Sequence, residues 1–142
     1  MALTESYMLA LQTKAPSFSL PNVISGEIVS LSELSGDKGT LVIFMCNHCP
    51  YVVHLMDALV ATASEFLNKG VQTIAISSNS IISHPQDGPE KMKSLAKEKK
   101  FPFPYLFDET QEIAHAYKAA CTPDFYLFDA ELRLYYRGRY DD

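Results

Sequence analysis

The sequence predicts an α/β domain built on a mixed sheet with helices on both faces. Three observations lead there. An apolar run, Leu41 to Met45, is followed almost at once by an amphipathic helical pattern. A second strand-then-helix alternation starts at Val71, and short alternating segments read as a hairpin near each end of the chain. With 142 residues the chain fits a single domain, 1–142, large enough to bury a core without disulfide staples.

Taken in order, Phe18 to Leu20 and Glu27 to Leu31 alternate around Pro21 and the Ser25-Gly26 pair, which predicts a small hairpin forming a lid-like N-terminal extension. A helical turn over Leu31 to Leu34 follows. Leu41 to Met45, partly β-branched and aromatic, predicts a strand buried on both faces. From Tyr51 to Asn68 the apolar positions Val52, Leu55, Met56, Leu59, Ala63, Phe66 and Leu67 recur at helical spacing, with Pro50 suited to the first helical position and Gly70 to the C-terminal cap.

Val71 to Ile76 predicts a second strand, Ser77 to Gly88 a polar loop, and Pro89 to Lys100 a helix. Phe101 to Phe107 holds a short third strand limited by its two prolines. Asp108 and Gln111 have the spacing of a capping box ahead of a stripe at Ile113, Ala114, Tyr117 and Ala120. Phe125 to Phe128 and Leu132 to Tyr136 flank the turn Asp129 to Glu131 as a final hairpin. No internal repeat or linker interrupts this order.

Composition excludes several function classes. With 17 acidic against 12 basic side chains the net charge is −5, and no long basic cluster offers a phosphate-neutralising surface, so nucleic acid is not an expected partner. Lys97, Lys99 and Lys100 fall where a helix should end, and cations there complement its dipole. Met1 to Lys14 has neither a positive n-region nor a continuous apolar core, so neither a secretory signal nor a membrane span is expected, and the expected compartment is the cytoplasm. Three cysteines in a reducing compartment point to thiol chemistry or metal binding rather than a disulfide scaffold.

The chemistry gathers where the first buried strand meets the long helix, at Cys46-Asn47-His48-Cys49-Pro50. Pro50 at the first helical position puts Cys49 at or near the N-cap, where free backbone amides and the helix dipole favour a thiolate. Cys46 stands three residues earlier, a spacing that permits a reversible disulfide with Cys49. A protonated His48 would be a cation beside the thiolate, favouring the reduced pair and making it more oxidising; the plainer reading is a solvent-facing loop histidine.

Four segments, Ala15 to Leu20, Leu41 to Pro50, Val71 to Ser78 and Cys121 to Asp129, together resemble the thioredoxin-like superfamily. The resemblance is to its AhpC/TSA (redoxin) branch, which includes thiol-disulfide oxidoreductase domains. It covers nearly the whole chain. It implies a thioredoxin-like three-layer α/β/α sandwich with a mixed central sheet and an N-terminal hairpin extension, its redox cysteines at a helix start beside a cis-proline loop. Thr122-Pro123 matches that loop and would present its backbone to a bound peptide. On this match Cys121 lies close to Cys46 and Cys49, its alternative being a small buried filler.

The implied activity is thiol-disulfide exchange, in protein-disulfide reduction or an antioxidant role. No cofactor is implied. The implied partners are a disulfide-containing protein or small thiol substrate and an upstream dithiol reductant. An ungapped match of the first strand makes Cys49 the nucleophile, as its place at the helix start also does, whereas matching the paired cysteines makes Cys46 the nucleophile and Cys49 the resolving thiol.

The sequence also departs from its relatives. The proline and threonine that precede a peroxidatic cysteine are replaced by Val42 and Cys46, and the peroxide-binding arginine position reads Pro123, all of which argues against a dedicated peroxidase. Thioredoxin's tryptophan before its first cysteine is replaced by Met45, and Leu41 to Met45 holds no acid. The chain stops at Asp141-Asp142, where such folds usually add a terminal helix; a homodimer, a swap or a shortened form would each account for the face this leaves.

Two other readings compete. Cys46, Cys49, His54 and Cys121 could supply ligands to zinc or copper. A redox-inactive interaction domain is the third possibility. His84 and His115 read as ordinary loop and helix-surface histidines, and Asp57, Glu65, Asp108, Glu109 and Glu112 as solvated helix or cap positions.

Overall fold

The computed structural model describes residues 12–45, 50–77, 88–108, 110–117 and 124–139, and all of their side chains except those of 50–55 and 137–139. Strands β1 (Ser19–Pro21) and β2 (Ile28–Ser30) pair antiparallel as the first hairpin. The one-turn helix α1 (Leu31–Leu34) follows directly, started by a capping box in which the Ser30 N–H donates to Glu33 Oε1 at 2.9 Å.

The main sheet contains β3 (Gly39–Phe44), β4 (Val71–Ser77), β5 (Tyr105–Phe107), β6 (Asp124–Asp129) and β7 (Leu134–Arg139), in spatial order β5-β4-β3-β6-β7. β3 runs parallel to β4 and β4 to β5, while β6 is antiparallel to both β3 and β7. The mixed sheet expected from the sequence is therefore present. Helices α2 (Pro50–Asn68), α3 (Pro89–Lys99) and α4 (Glu112–Ala116) complete the described elements. Gly70 ends α2 at φ +85°, the left-handed conformation a side chain would disfavour.

Alternation along the strands divides the core into two layers. On one face Val42, Phe44, Ile74, Ile76, Leu106, Tyr126 and Phe128 pack with Ala15, Phe18, Leu20, Leu31 and Tyr117. On the other, Ile43, Met45, Ala75, Tyr105 and Phe107 pack with Met56 and Ala63 of α2 and with Met92 and Ala96 of α3. The result is the three-layer sandwich. Leu67, which falls in the helical stripe, is 47% exposed at the end of α2.

The N-terminal extension is not a lid. Gln12 and Ala15 donate backbone hydrogen bonds to Leu134 and Leu132, while Val23 donates to Tyr105. The segment thus crosses one whole sheet face from the β7 side to β5, burying Ala15, Phe18 and Leu20 on the way. Among the described residues it forms the third layer together with the short helices α1 and α4.

Two local expectations are corrected. Asp108 is not solvated and is not the N-cap of α4: it is buried, and its Oδ2 accepts the N–H groups of Ile113 and Ala114, both at 3.0 Å. Gln111 instead takes φ +66° at the N-cap of α4. The last strand starts at Leu134 rather than Leu132, because the turn runs on through Leu132 at φ +62°. Asp129 Oδ1 holds that turn by accepting from the Glu131 and Arg133 N–H groups.

Candidate active site

The strand register builds one end of the sheet. β3 ends at Phe44 and continues into Met45, which is fully buried and donates its N–H to the Ile76 carbonyl at 2.9 Å. Phe44 stands opposite Asp124, the first residue of β6. Met45, which precedes Cys46 in the sequence, and Asp124, which follows Pro123, therefore lie at the same edge on neighbouring strands. β4 ends at this edge too, at Ser77, whose carbonyl accepts the Asp108 N–H at 2.8 Å.

This follows from local sequence physics. β3 and β4 are apolar on both faces, which suits strands at the centre of a covered sheet. α2 starts at Pro50, whose missing N–H costs nothing where the first amides have no helical partner anyway. A helix of 19 residues presents the positive end of its dipole at that start.

Beneath the edge lies an aromatic cluster. The Phe44 ring sits 5.4 Å from Tyr117 and 5.8 Å from Tyr126, and Tyr117 also meets Tyr126 at 5.5 Å and Phe128 at 5.9 Å, mostly edge to face. The Tyr117 hydroxyl donates to the Pro16 carbonyl at 2.8 Å, tying the N-terminal segment to the residue that leads into 118–123. Burial pushes that hydroxyl well above the ordinary tyrosine range, with Tyr126 adding to the effect, so it stays a neutral donor.

Cys46, His48, Cys49, Cys121, Thr122 and Pro123 all lie outside the described residues, as does the cis-proline geometry expected at Pro123. The structure fixes the residues that bracket them: Met45, Pro50 and Asp124. The backbone of His54 is on α2. Among the described residues no three His, Cys, Asp or Glu side chains gather in a way that could hold a metal ion, and no helix is long and apolar enough to cross a membrane.

Two buried polar groups at this edge, Asp124 and Ser77, escaped the sequence reading, and a third, Asp108, reads as solvated in the sequence. Asp124 is only 5% exposed, Asp108 is 1% exposed, and Ser77 is fully buried with no hydrogen-bond partner for its hydroxyl among the described residues. Asp124 had a signal, being an acid set between Pro123 and an apolar strand. Ser77 had none, since a serine ending an apolar run reads as the start of a loop.

A model of the AhpC/TSA family matches residues 11–137. Among solved structures, an uncharacterized conserved protein of Geobacillus kaustophilus is 51% identical, with 95% of this chain covering 71% of that one and a TM-score of 0.92. A hypothetical protein of Sinorhizobium meliloti is 40% identical, with 94% of this chain covering 73% of that one and a TM-score of 0.89. The thioredoxin domain of a thiol-disulfide oxidoreductase of Bacteroides vulgatus is 22% identical over 94% of this chain and 91% of that one, and its TM-score of 0.77 shows the shared fold. No curated protein matches the chain.

Proposed function

The chain belongs to the AhpC/TSA family of thioredoxin-like redoxins, and on that premise we propose that it is a thiol-disulfide oxidoreductase working through a Cys46/Cys49 dithiol. The observation that supports the reading is the pairing of Phe44 with Asp124, which puts the strand end before Cys46 and the strand start after Pro123 beside each other at one end of the sheet. α2 adds a second support. Its N-terminus begins immediately after Cys49, and a helix start favours thiolate over thiol.

In this mechanism one thiolate attacks a sulfur of the substrate disulfide, forming a mixed disulfide and releasing one substrate thiolate, which takes up a proton. The second cysteine loses its proton and attacks the mixed disulfide, releasing the other substrate thiol. Two electrons have then passed from the protein dithiol to the substrate, leaving a Cys46–Cys49 disulfide for an upstream dithiol reductant to restore. Cys49 at the helix start is the better attacking group, and Cys46 resolves. His48, when protonated, would stabilise the attacking thiolate. Thr122 and Pro123 would offer backbone to the substrate chain, and Cys121 would be an alternative resolving thiol.

Replacing Cys46 or Cys49 by Ser is expected to abolish reduction of insulin disulfides, while Cys121→Ser retains it. A thiol titration run with and without reductant beside metal analysis supplies the independent check: the oxidised protein should show one titratable thiol, the reduced protein three, and neither bound metal. Blocked thiols with one equivalent of zinc or copper would replace this reading with the metal-binding one. Limiting alkylation followed by peptide mapping assigns the nucleophile, and predominant labelling of Cys46 would reverse the roles of the two cysteines.

A further inference from the structure

A cavity of about 260 Å³ opens between the N-terminal hairpin and the start of α3. Pro21, Val23, Pro89 and Phe107 give it apolar walls, and Glu90 and Lys93, one helical turn apart on α3, belong to its lining. Phe107 ends β5 opposite Ser77, and Met45 follows Phe44 beside Ile76 on the next strand. The cavity wall therefore lies two strand spacings, roughly 10 Å, from the end of β3. Phe107 and Val23 belong to the core layer that α2 covers, so the cavity opens on the same sheet face as the helix that starts at Pro50.

We infer that this cavity receives an apolar side chain of a polypeptide substrate, close to the cysteine whose disulfide the protein exchanges. The inference rests on the oxidoreductase reading above and adds to it the substrate class. Size and charge select the occupant. The cavity is smaller than the roughly 300–1,000 Å³ usual for cofactors and small-molecule ligands. Its two charged residues are of opposite sign, which leaves no net attraction for a phosphate, carboxylate or ammonium group. A neutral side chain carried on a peptide fits both conditions. At about 3.3 Å per extended residue, a reach of roughly 10 Å places that side chain about three residues from the substrate cysteine.

The test uses the full chain and three substrates: a disulfide-linked peptide with Phe three residues from its cysteine, the same peptide with Ser there, and hydroxyethyl disulfide. The wild type is expected to reduce the Phe peptide with kcat/KM roughly 10- to 100-fold above the Ser peptide, mainly through KM. Glu90→Phe fills the cavity from an exposed helix position and Val23→Phe from its floor. Either variant, shown to be folded by its melting temperature, should lose the preference for Phe and keep its rate on hydroxyethyl disulfide. Equal rates on the two peptides, or an equal loss on all three substrates in folded Glu90→Phe, would overturn the inference. If the wild type reduces none of the three, the oxidoreductase reading itself has failed, and the inference falls with it.

Discussion

Tyr117 shows how one side chain ties the site edge to the rest of the core. Its ring contacts Phe44, Tyr126 and Phe128, and its hydroxyl donates to the Pro16 carbonyl. Because burial raises its folded-state pKa above the ordinary value of 10.0, its contribution is fully present below about pH 10 and is lost as pH rises toward the folded value. The urea midpoint of the wild type should therefore fall above about pH 10. Tyr117→Phe should flatten that fall while losing about 1 kcal/mol at neutral pH with the hydrogen bond. An unchanged alkaline limb in the variant would assign the loss to other groups. The stripe of Ile113, Ala114 and Tyr117 was legible in the sequence, but the hydroxyl's partner, 101 residues away, was not.

At the scale of elements, boundaries were set by caps and turns whose partners are mostly local. Ser30 and Glu33 start α1, Gly70 ends α2, and Asp129 carries the turn into β7. Pro50 and Gly70 made the limits of α2 readable. Asp108 misled, because Gln111 rather than Asp108 is the N-cap of α4, and the Asp108 carboxylate accepts from N–H groups five and six residues on. Gly36 matters for a different reason. A Cβ there would run into the Gly39 carbonyl and stand 2.7 Å from the Gln72 nitrogen and the Gly70 carbonyl oxygen. These neighbours are backbone atoms that cannot step aside. Gly36→Ala should cost about 1–3 kcal/mol in equilibrium unfolding, and a cost below about 0.5 kcal/mol would show that the turn can move.

Across the whole molecule, the N-terminal segment closes one face of the sheet. Phe18 is only 5% exposed and packs in the same layer as Phe44 and Tyr117. Phe18→Ala should therefore destabilise the protein by about 3–5 kcal/mol, as for a core aromatic, where a lid residue would change stability by less than about 1 kcal/mol. Chemical denaturation followed by far-ultraviolet circular dichroism distinguishes the two. On the opposite face Leu41, Leu127 and Tyr136 form one cross-strand row in which Tyr136 is 53% exposed.

Periodicity, prolines and cysteine spacing by themselves determined the strand-helix order, the buried strand leading to Cys46, and the helix that starts at Pro50. These are properties of neighbouring residues, so the chain carries them locally. Only tertiary structure decided that β6 lies antiparallel beside β3 with Asp124 against Phe44, that the first described residues form a core layer, and that the hairpin and α3 enclose a cavity beside Phe107. Strand register and burial arise from contacts between residues far apart in sequence, and no local pattern encodes them.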